Sequence, residues 1–500
     1  MTKHVRRICF VCALLSSAFV VSCSGPAGHF RAGAAAVDIT PQAFPVPMRG
    51  TFSFRPATTA HDPLHARALV LDDGRTRLAM VIIDNVGIPR SLLDEAKRIA
   101  SEATGIPTNR ILTSSTHTHT APYPIPQQVT DTWDKKTLPP EEAAVFDMAY
   151  EANVQYSGLL KRQIAKAIQE AAARLQPAEI GAAVVQLPEH LNNRRWFKKE
   201  GSIPPSPYGA TTDRVQMNPQ AGSEDLVKPA GPTDPGLSVI SVRTSDGKPL
   251  ALLANYSLHY VGDVPGGQIS ADYFGEFAKR IRQSLAPDNQ HFVGILSNGT
   301  SGDVNNINFR AARGPRGEPS FSKISAVADS VAKASLQAYK TIQHSSGLSL
   351  AMAEREINLG VRKPTAEQLQ FAKAALAAKD DKKLPGRAKA YAKRALALEE
   401  EGETVSIKLQ AIRIGSIGIA AIPFEVFTET GLEIKEKSPL KPTFTIELAN
   451  GSEGYLPTPE QHKLGGYETW LGTNRVEIQA SRKITDTVLE LLKEVSTNKP

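Results

Sequence analysis

The stretch from His61 to Pro122 restricts the possible folds more than any other. It reads in order as strand, turn, strand, helix and strand. His61–Leu71 leads into the first strand, and Asp72-Asp73-Gly74 is a strong hairpin signal. Leu78–Asp84 is a largely apolar run, of the kind covered on both faces of a sheet. Arg90–Thr104 has helical spacing, with Leu92, Leu93, Ala96, Ile99 and Ala100 on one side. Ile111–Thr113 is a short strand that runs into Ser114-Ser115-Thr116-His117-Thr118-His119-Thr120-Ala121-Pro122. This succession is the pattern of an α/β domain. Residues two apart in an extended chain point to the same side, so His117 and His119 present two imidazoles at a strand end. Such a pair can be two ligands of one metal ion, one ligand beside an acid/base group, or two surface histidines.

The rest of the chain continues the alternation. Helical spacing predicts helices from Ala143 to about Leu175, over Tyr273–Leu285, Ile324–Thr341 and Thr485–Val495. Glu179–Leu187, Leu237–Arg243, Leu250–Leu258, His291–Leu296, Val405–Ile414, Ile417–Ile422 and Thr443–Leu448 read as strands. Residues 196–236 are rich in Pro, Gly and Ser and read as a long, functional or disordered loop. Thr365–Glu400, broken by Pro385-Gly386, reads as a solvent-facing helical hairpin inserted at residues 361–405. No internal repeat is visible in the sequence. The expectation is an α/β protein: mixed β-sheets flanked by helices in one large catalytic domain over residues 34–500.

The N-terminus points to export. Lys3, Arg6 and Arg7 precede the apolar run Ile8–Val21, which is too short to span a membrane and reads as a secretory signal over residues 1–22. Val20-Val21-Ser22-Cys23 resembles a bacterial lipobox, so Cys23 is the expected lipidation site, followed by a tether over residues 23–33. Of the three cysteines, Cys9 and Cys12 leave with the signal. No disulfide, thiolate metal site or cysteine nucleophile then remains. The expected location is a membrane-anchored bacterial lipoprotein, at the periplasmic face or cell surface. The formal net charge is +7 for the whole chain, and three of those positive charges lie within residues 1–22. The mild remainder, with no dense Lys/Arg patch interleaved with aromatics, argues against a nucleic-acid partner.

A hydrolytic zinc site needs about three protein ligands and an open position. His117 is one candidate. His259, at the end of the Leu250–Leu258 strand, is another. Glu425 lies between apolar residues in Ile422-Pro423-Phe424-Glu425-Val426. Burying a lone carboxylate is costly unless it is paired or metal-bound. A serine hydrolase is the weaker reading. No G-x-S-x-G elbow is present, and Ser301 sits in a loop, Gly299-Thr300-Ser301-Gly302-Asp303, that can equally be a simple turn.

Taken together, these residues resemble the neutral/alkaline ceramidases, secreted or membrane-associated zinc amidases that cleave the N-acyl bond of ceramide. The family loop T-H-T-H-[ST]-x-P is matched by Thr116–Pro122, the strand-end His and S-x-D by His259 and Ser270-Ala271-Asp272, and P-x-E-[FV] by Pro423–Val426. The A-N-x-x-x-G-Y segment is matched by Ala449–Tyr455, and a second tyrosine twelve residues on by Tyr467. The resemblance implies Zn2+ held by His117, His259, Glu425 and Tyr455. It implies His119 as an auxiliary group free for proton transfer, Tyr467 as oxyanion stabiliser, and the Asn193-Arg194 pair as substrate-holding, with Arg194 the expected substrate-binding residue. The implied partner is a lipid-like N-acyl amide, with the membrane engaged through Cys23.

The sequence departs from the family in two places. Where the family loop reads G-D-x-S-P-N, this chain has Gly302-Asp303-Val304-Asn305-Asn306, so Asn305 replaces a serine with an assigned catalytic role. That substitution removes a serine-nucleophile mechanism and weakens ceramide itself as the substrate. Only 33 residues follow Tyr467, too few for the family's C-terminal immunoglobulin-like domain. The competing readings are a non-catalytic lipid- or glycan-binding lipoprotein, and a zinc hydrolase acting on another amide or an ester.

Overall fold

The computed structural model describes residues 30–50, 53–312 and 319–497. The signal segment and Cys23 lie outside the described residues. The first strand, β1, already begins at Arg31, inside the stretch read as tether. Among the described residues no helix is long and apolar enough to cross a membrane.

One connectivity occurs three times. In the first unit β1 (Arg31–Asp38), β2 (His65–Asp72) and β3 (Arg77–Ile83) are antiparallel neighbours. Helix α1 (Arg90–Thr104) then crosses to β4 (Ile111–Ser115), parallel to β3, and α2 (Pro140–Ala173) follows. The second unit repeats this with antiparallel β5 (Gln176–Gln186), β6 (Gly236–Thr244) and β7 (Pro249–Tyr256), then α3 (Asp272–Leu285), the parallel strand β8 (Val293–Asn298) and α4 (Ser322–Tyr339). The two units join through antiparallel β1 and β5 into one eight-stranded sheet, ordered β8-β7-β6-β5-β1-β2-β3-β4.

The third unit is β9 (Leu350–Gly360), the helical hairpin α5 (Ala366–Ala377) and α6 (Ala388–Glu400), β10 (Thr404–Ile414), β11 (Ile417–Ala421), α7 (Thr428–Lys437), the parallel strand β12 (Thr443–Ile446) and α8 (Ala480–Thr497). Its sheet has the same neighbour order, β9-β10-β11-β12. The internal repeat that the sequence does not display is therefore present as topology.

Side-chain alternation explains the layering. Ala66, Ala68 and Val70 of β2 pack under α1 and α2, while Leu69 and Leu71 face the opposite way. There they meet Ile412, Ile414, Ile419 and Phe444 of the four-stranded sheet. Helices α3 and α4 cover the second half of the large sheet, and α8 covers the outer face of the small one. The result is helices, sheet, sheet, helices, as expected for mixed sheets flanked by helices.

Three local readings change. Residues 196–236 are not bare loop: Arg195–Lys198, Val215–Met217 and Leu226–Pro229 form a three-stranded sheet. Strand β9 has no counterpart in the sequence reading, because Met352–Asn358 is polar and partly exposed along an edge. The hairpin forms at the expected place, but it does not merely face solvent. Tyr391 packs against Trp470 at 5.6 Å between ring centroids, and the Arg387 guanidinium lies 5.9 Å from the Tyr467 ring.

The buried ammonium of Lys97, on the inner face of α1, gives a prediction. It donates to Asn450 Oδ1 at 2.5 Å, and Asn450 Oδ1 also accepts from the Thr113 backbone N–H at 3.3 Å. Burial pushes the Lys97 pKa down to about 8. Between that value and the unfolded lysine pKa, the unfolded chain binds more protons, so stability must rise with pH. The expected rise is up to about 1.4 kcal/mol per pH unit, and Lys97→Met flattens it. Urea midpoints of both proteins at pH 8 and pH 10 measure the difference; equal slopes would assign the effect elsewhere.

Candidate metal centre

The site forms beyond the C-terminal ends of parallel strands, where α/β sheets place ligands. His117 follows β4, His259 follows β7, and Glu425 follows β11. Each of the three units thus supplies one group. His117 sits in left-handed backbone conformation at φ 67°, a strain of the kind stored at functional sites.

Hydrogen bonds fix the orientation of the rings. The His117 backbone N–H donates to the Asn85 carbonyl at 2.8 Å, and Nδ1 lies 2.6 Å from the Val86 carbonyl. A carbonyl only accepts, so Nδ1 carries a proton, and Nε2 is the atom turned into the site. The same logic applies to His259, whose Nδ1 is 3.1 Å from the Ser301 carbonyl. His119 lies against the Gly50 backbone and stacks on Tyr260 at 3.7 Å. Gly50 stands at φ 96°, and a Cβ there would lie 2.9 Å from His119 Nδ1, so this ring depends on glycine.

The free edges of the three imidazoles converge. His117 Nε2 is 3.0 Å from His259 Nε2 and 3.1 Å from His119 Nε2. Glu425 Oε2 is 3.3 Å from His117 Nε2 and 3.5 Å from His259 Nε2, and it has no hydrogen-bond partner. Ligand atoms of a tetrahedral zinc site, about 2.0–2.1 Å from the ion, stand about 3.3 Å from each other. His117, His259 and Glu425 form a closed triangle of edges near that value. His119 joins the cluster through His117, and the three histidines alone already satisfy the geometry of a metal-binding group. The donor set and the unpartnered Glu425 Oε2 therefore fit a divalent cation.

Electrostatics agree with that fit. Burial, and then the neighbouring His117 and Arg194, hold His259 and His119 well below the usual histidine range, so both stay neutral. Burial pushes the Glu425 carboxyl up, but His117, Tyr455 and Arg194 more than offset it and keep it ionised. The Tyr455 hydroxyl lies close enough to Glu425 to help hold it ionised, while burial raises its own pKa and keeps it a neutral phenol. Tyr467 packs edge-on against Tyr455 at 5.7 Å, and it too is raised by burial.

Arg194 lies 5.1 Å over the Tyr455 ring and donates through Nε to Glu468 at 3.0 Å. Its buried Nη2 has no well-formed hydrogen bond, although the Tyr455 hydroxyl is close enough to couple to it. Asn193 turns away and donates to Asp303 Oδ2 at 2.7 Å. Asn305 also lies apart from the histidines: its amide donates to Asn218 at 2.6 Å and accepts from the Ile307 N–H at 2.9 Å.

The remaining motif residues hold the elements together. The Ser270 carbonyl accepts from Thr118 at 2.7 Å and Thr120 at 3.0 Å, and Asp272 accepts from the backbone N–H groups of Val261 and Gly262. This ties the His117 loop to the His259 loop. Gly302 admits the Glu425 backbone: a Cβ there would lie 2.5 Å from the Glu425 carbonyl oxygen. Glu447 accepts from the Ser301 hydroxyl and backbone N–H and from the Val426 N–H, and burial pushes its pKa up to about 8.

Sequence reasoning missed Glu447, Arg49 and Tyr260. Arg49 is held by the Gly87 carbonyl and adds positive potential at Glu425 and His119. Tyr260 follows His259 directly, and Arg49 precedes the glycine under His119, so adjacency to named residues was the available signal.

No protein-family model and no curated protein sequence matches this chain. Solved structures do. Neutral ceramidase from Pseudomonas aeruginosa superposes with a TM-score of 0.65 at 17% identity, covering 94% of this chain and 75% of that one. A ceramidase complexed with C2 gives a TM-score of 0.65 at 16% identity, over 94% and 76% of the two chains. Across nearly all its length, this chain shares the fold of neutral ceramidase.

Proposed function

We propose that this protein is a zinc-dependent hydrolase of the ceramidase type, acting on the C–N bond of an N-acyl amide lipid. The observation that carries the reading is the convergence of His117 Nε2, His259 Nε2 and the unpartnered Glu425 Oε2, with His119 alongside. In this reading His117, His259 and Glu425 hold the ion, and Tyr455 completes the set. When bound, zinc supplies Lewis acidity that polarises a carbonyl and makes water more acidic. Tyr455 and Arg194 orient the Glu425 carboxylate. His119, neutral and braced by Tyr260, carries a proton to the leaving nitrogen. The Tyr467 hydroxyl donates to the oxygen on which negative charge develops. A lipid on Cys23 would anchor the exported protein beside its substrate.

Asn305 favours an N-acyl amide other than ceramide as the preferred substrate, since no serine is available at that position. The test is elemental metal analysis of the purified protein together with hydrolysis of ceramide, other N-acyl amides and a matched ester. About one zinc per chain, amide cleavage lost on chelation, and no gain from Asn305→Ser are expected. Failure to retain zinc after loading, with every substrate intact, would leave only a binding role for the scaffold.

A further inference from the structure

A cavity of about 580 Å³ lies one aromatic layer from Tyr467. Trp470 lines it and packs edge-on against Tyr467 at 5.8 Å. Its charge balance is uneven. The Arg362 Nη1 donates to the Thr469 carbonyl and to Asn474 Oδ1, both at 2.8 Å. Both acceptors are neutral, and no carboxylate pairs with Arg362 among the described residues. The two acids in the lining have partners within it: Asp213 accepts from the Trp470 indole at 2.8 Å, and Glu460 pairs at 3.1 Å with Arg482, a third lining cation that also pairs with Glu433. His462 is held neutral, its pKa pushed down to about 4 by burial and then by Arg362 and Arg195. Lys463 adds a further positive charge at the rim. The remaining wall is aromatic and apolar, with Tyr208, Trp470, Leu471 and Ile478, the last 48% exposed.

A half-buried guanidinium without a counter-ion is costly, and its planar fork matches an oxyanion. We propose that this cavity binds a small anion-headed organic molecule, a carboxylate or phosphate monoester on an aromatic or alkyl body. Arg362 takes the head, and Trp470 with Tyr208 takes the body. The site does not depend on amide hydrolysis, and its test reads binding alone.

Calorimetric titration with benzoate, inorganic phosphate and the neutral control benzyl alcohol probes it. Saturable one-to-one binding of an anion is expected, with benzyl alcohol at least about tenfold weaker. Binding of benzoate alone assigns a carboxylate head, and binding of phosphate alone a phosphate head. Arg362→Gln should weaken the anion at least about tenfold. Because Arg362 also braces Thr469 and Asn474, a second variant is needed. Gln479→Glu places a negative charge on an exposed lining residue and should weaken the anion several-fold with an unchanged melting temperature. The assignment is overturned if neither anion saturates, if benzyl alcohol binds as well, or if Gln479→Glu matches the wild type.

Discussion

His117→Ala is expected to abolish zinc retention and to lower amide turnover by at least about a thousandfold, near 4 kcal/mol of barrier. His117 Nε2 stands within 3.0–3.3 Å of His259, His119 and Glu425 at once, so its removal leaves only the 3.5 Å edge between His259 and Glu425. The φ of 67° complicates alanine, which resists left-handed backbone. Asn tolerates that conformation, so His117→Asn separates loss of the ligand from loss of the fold. Both variants should lose zinc, while His117→Asn keeps a melting temperature close to that of the metal-free wild type. A His117 variant with full zinc and full activity would sink the metal assignment.

Glu468→Gln should destabilise the protein by about 3–5 kcal/mol, the largest effect expected of any single charge substitution here. Glu468 is fully buried between two guanidiniums, Arg194 Nε at 3.0 Å and Arg195 Nη1 at 2.6 Å. Gln keeps the shape but leaves two buried cations without an anion. Arg98–Glu102 supplies the contrast, because both side chains are more than half exposed and solvent screens them. Glu102→Gln should cost no more than about 0.5 kcal/mol. Guanidinium denaturation of the two variants measures the gap; comparable small losses would show that Glu468 is not the internal counter-ion that the geometry implies. Activity should fall with Glu468→Gln as well, since Arg194 is positioned over Tyr455 from that carboxylate.

Much of the site was legible because its chemistry sits at strand ends. His259 and Glu425 each close a short apolar run and His117 follows a short β-prone one, and such positions are found without knowledge of the tertiary fold. Their meeting point was not legible from spacing, since it depends on three parallel pairs ending at one place. Strand β9 escaped because an edge strand needs only one buried neighbour, and its polar middle carries little periodic signal. Lys97 escaped for the opposite reason. A lysine on an amphipathic helix reads as surface, and only the distant Asn450 makes it interior. The separate role expected of His119 rests on proton transfer. Its position, 3.1 Å from His117 Nε2, is close enough for it to share the cluster as well.

The threefold recurrence has a thermodynamic consequence. His117 belongs to the first unit, His259 to the second and Glu425 to the third, so no unit owns a complete site. An ion bound there would act as a cross-link between three chain segments that are far apart in sequence. Its binding free energy would then be folding free energy shared by all three. Chelation should loosen the whole assembly cooperatively, and an ion-starved cell would hold a softer protein as well as an inactive one.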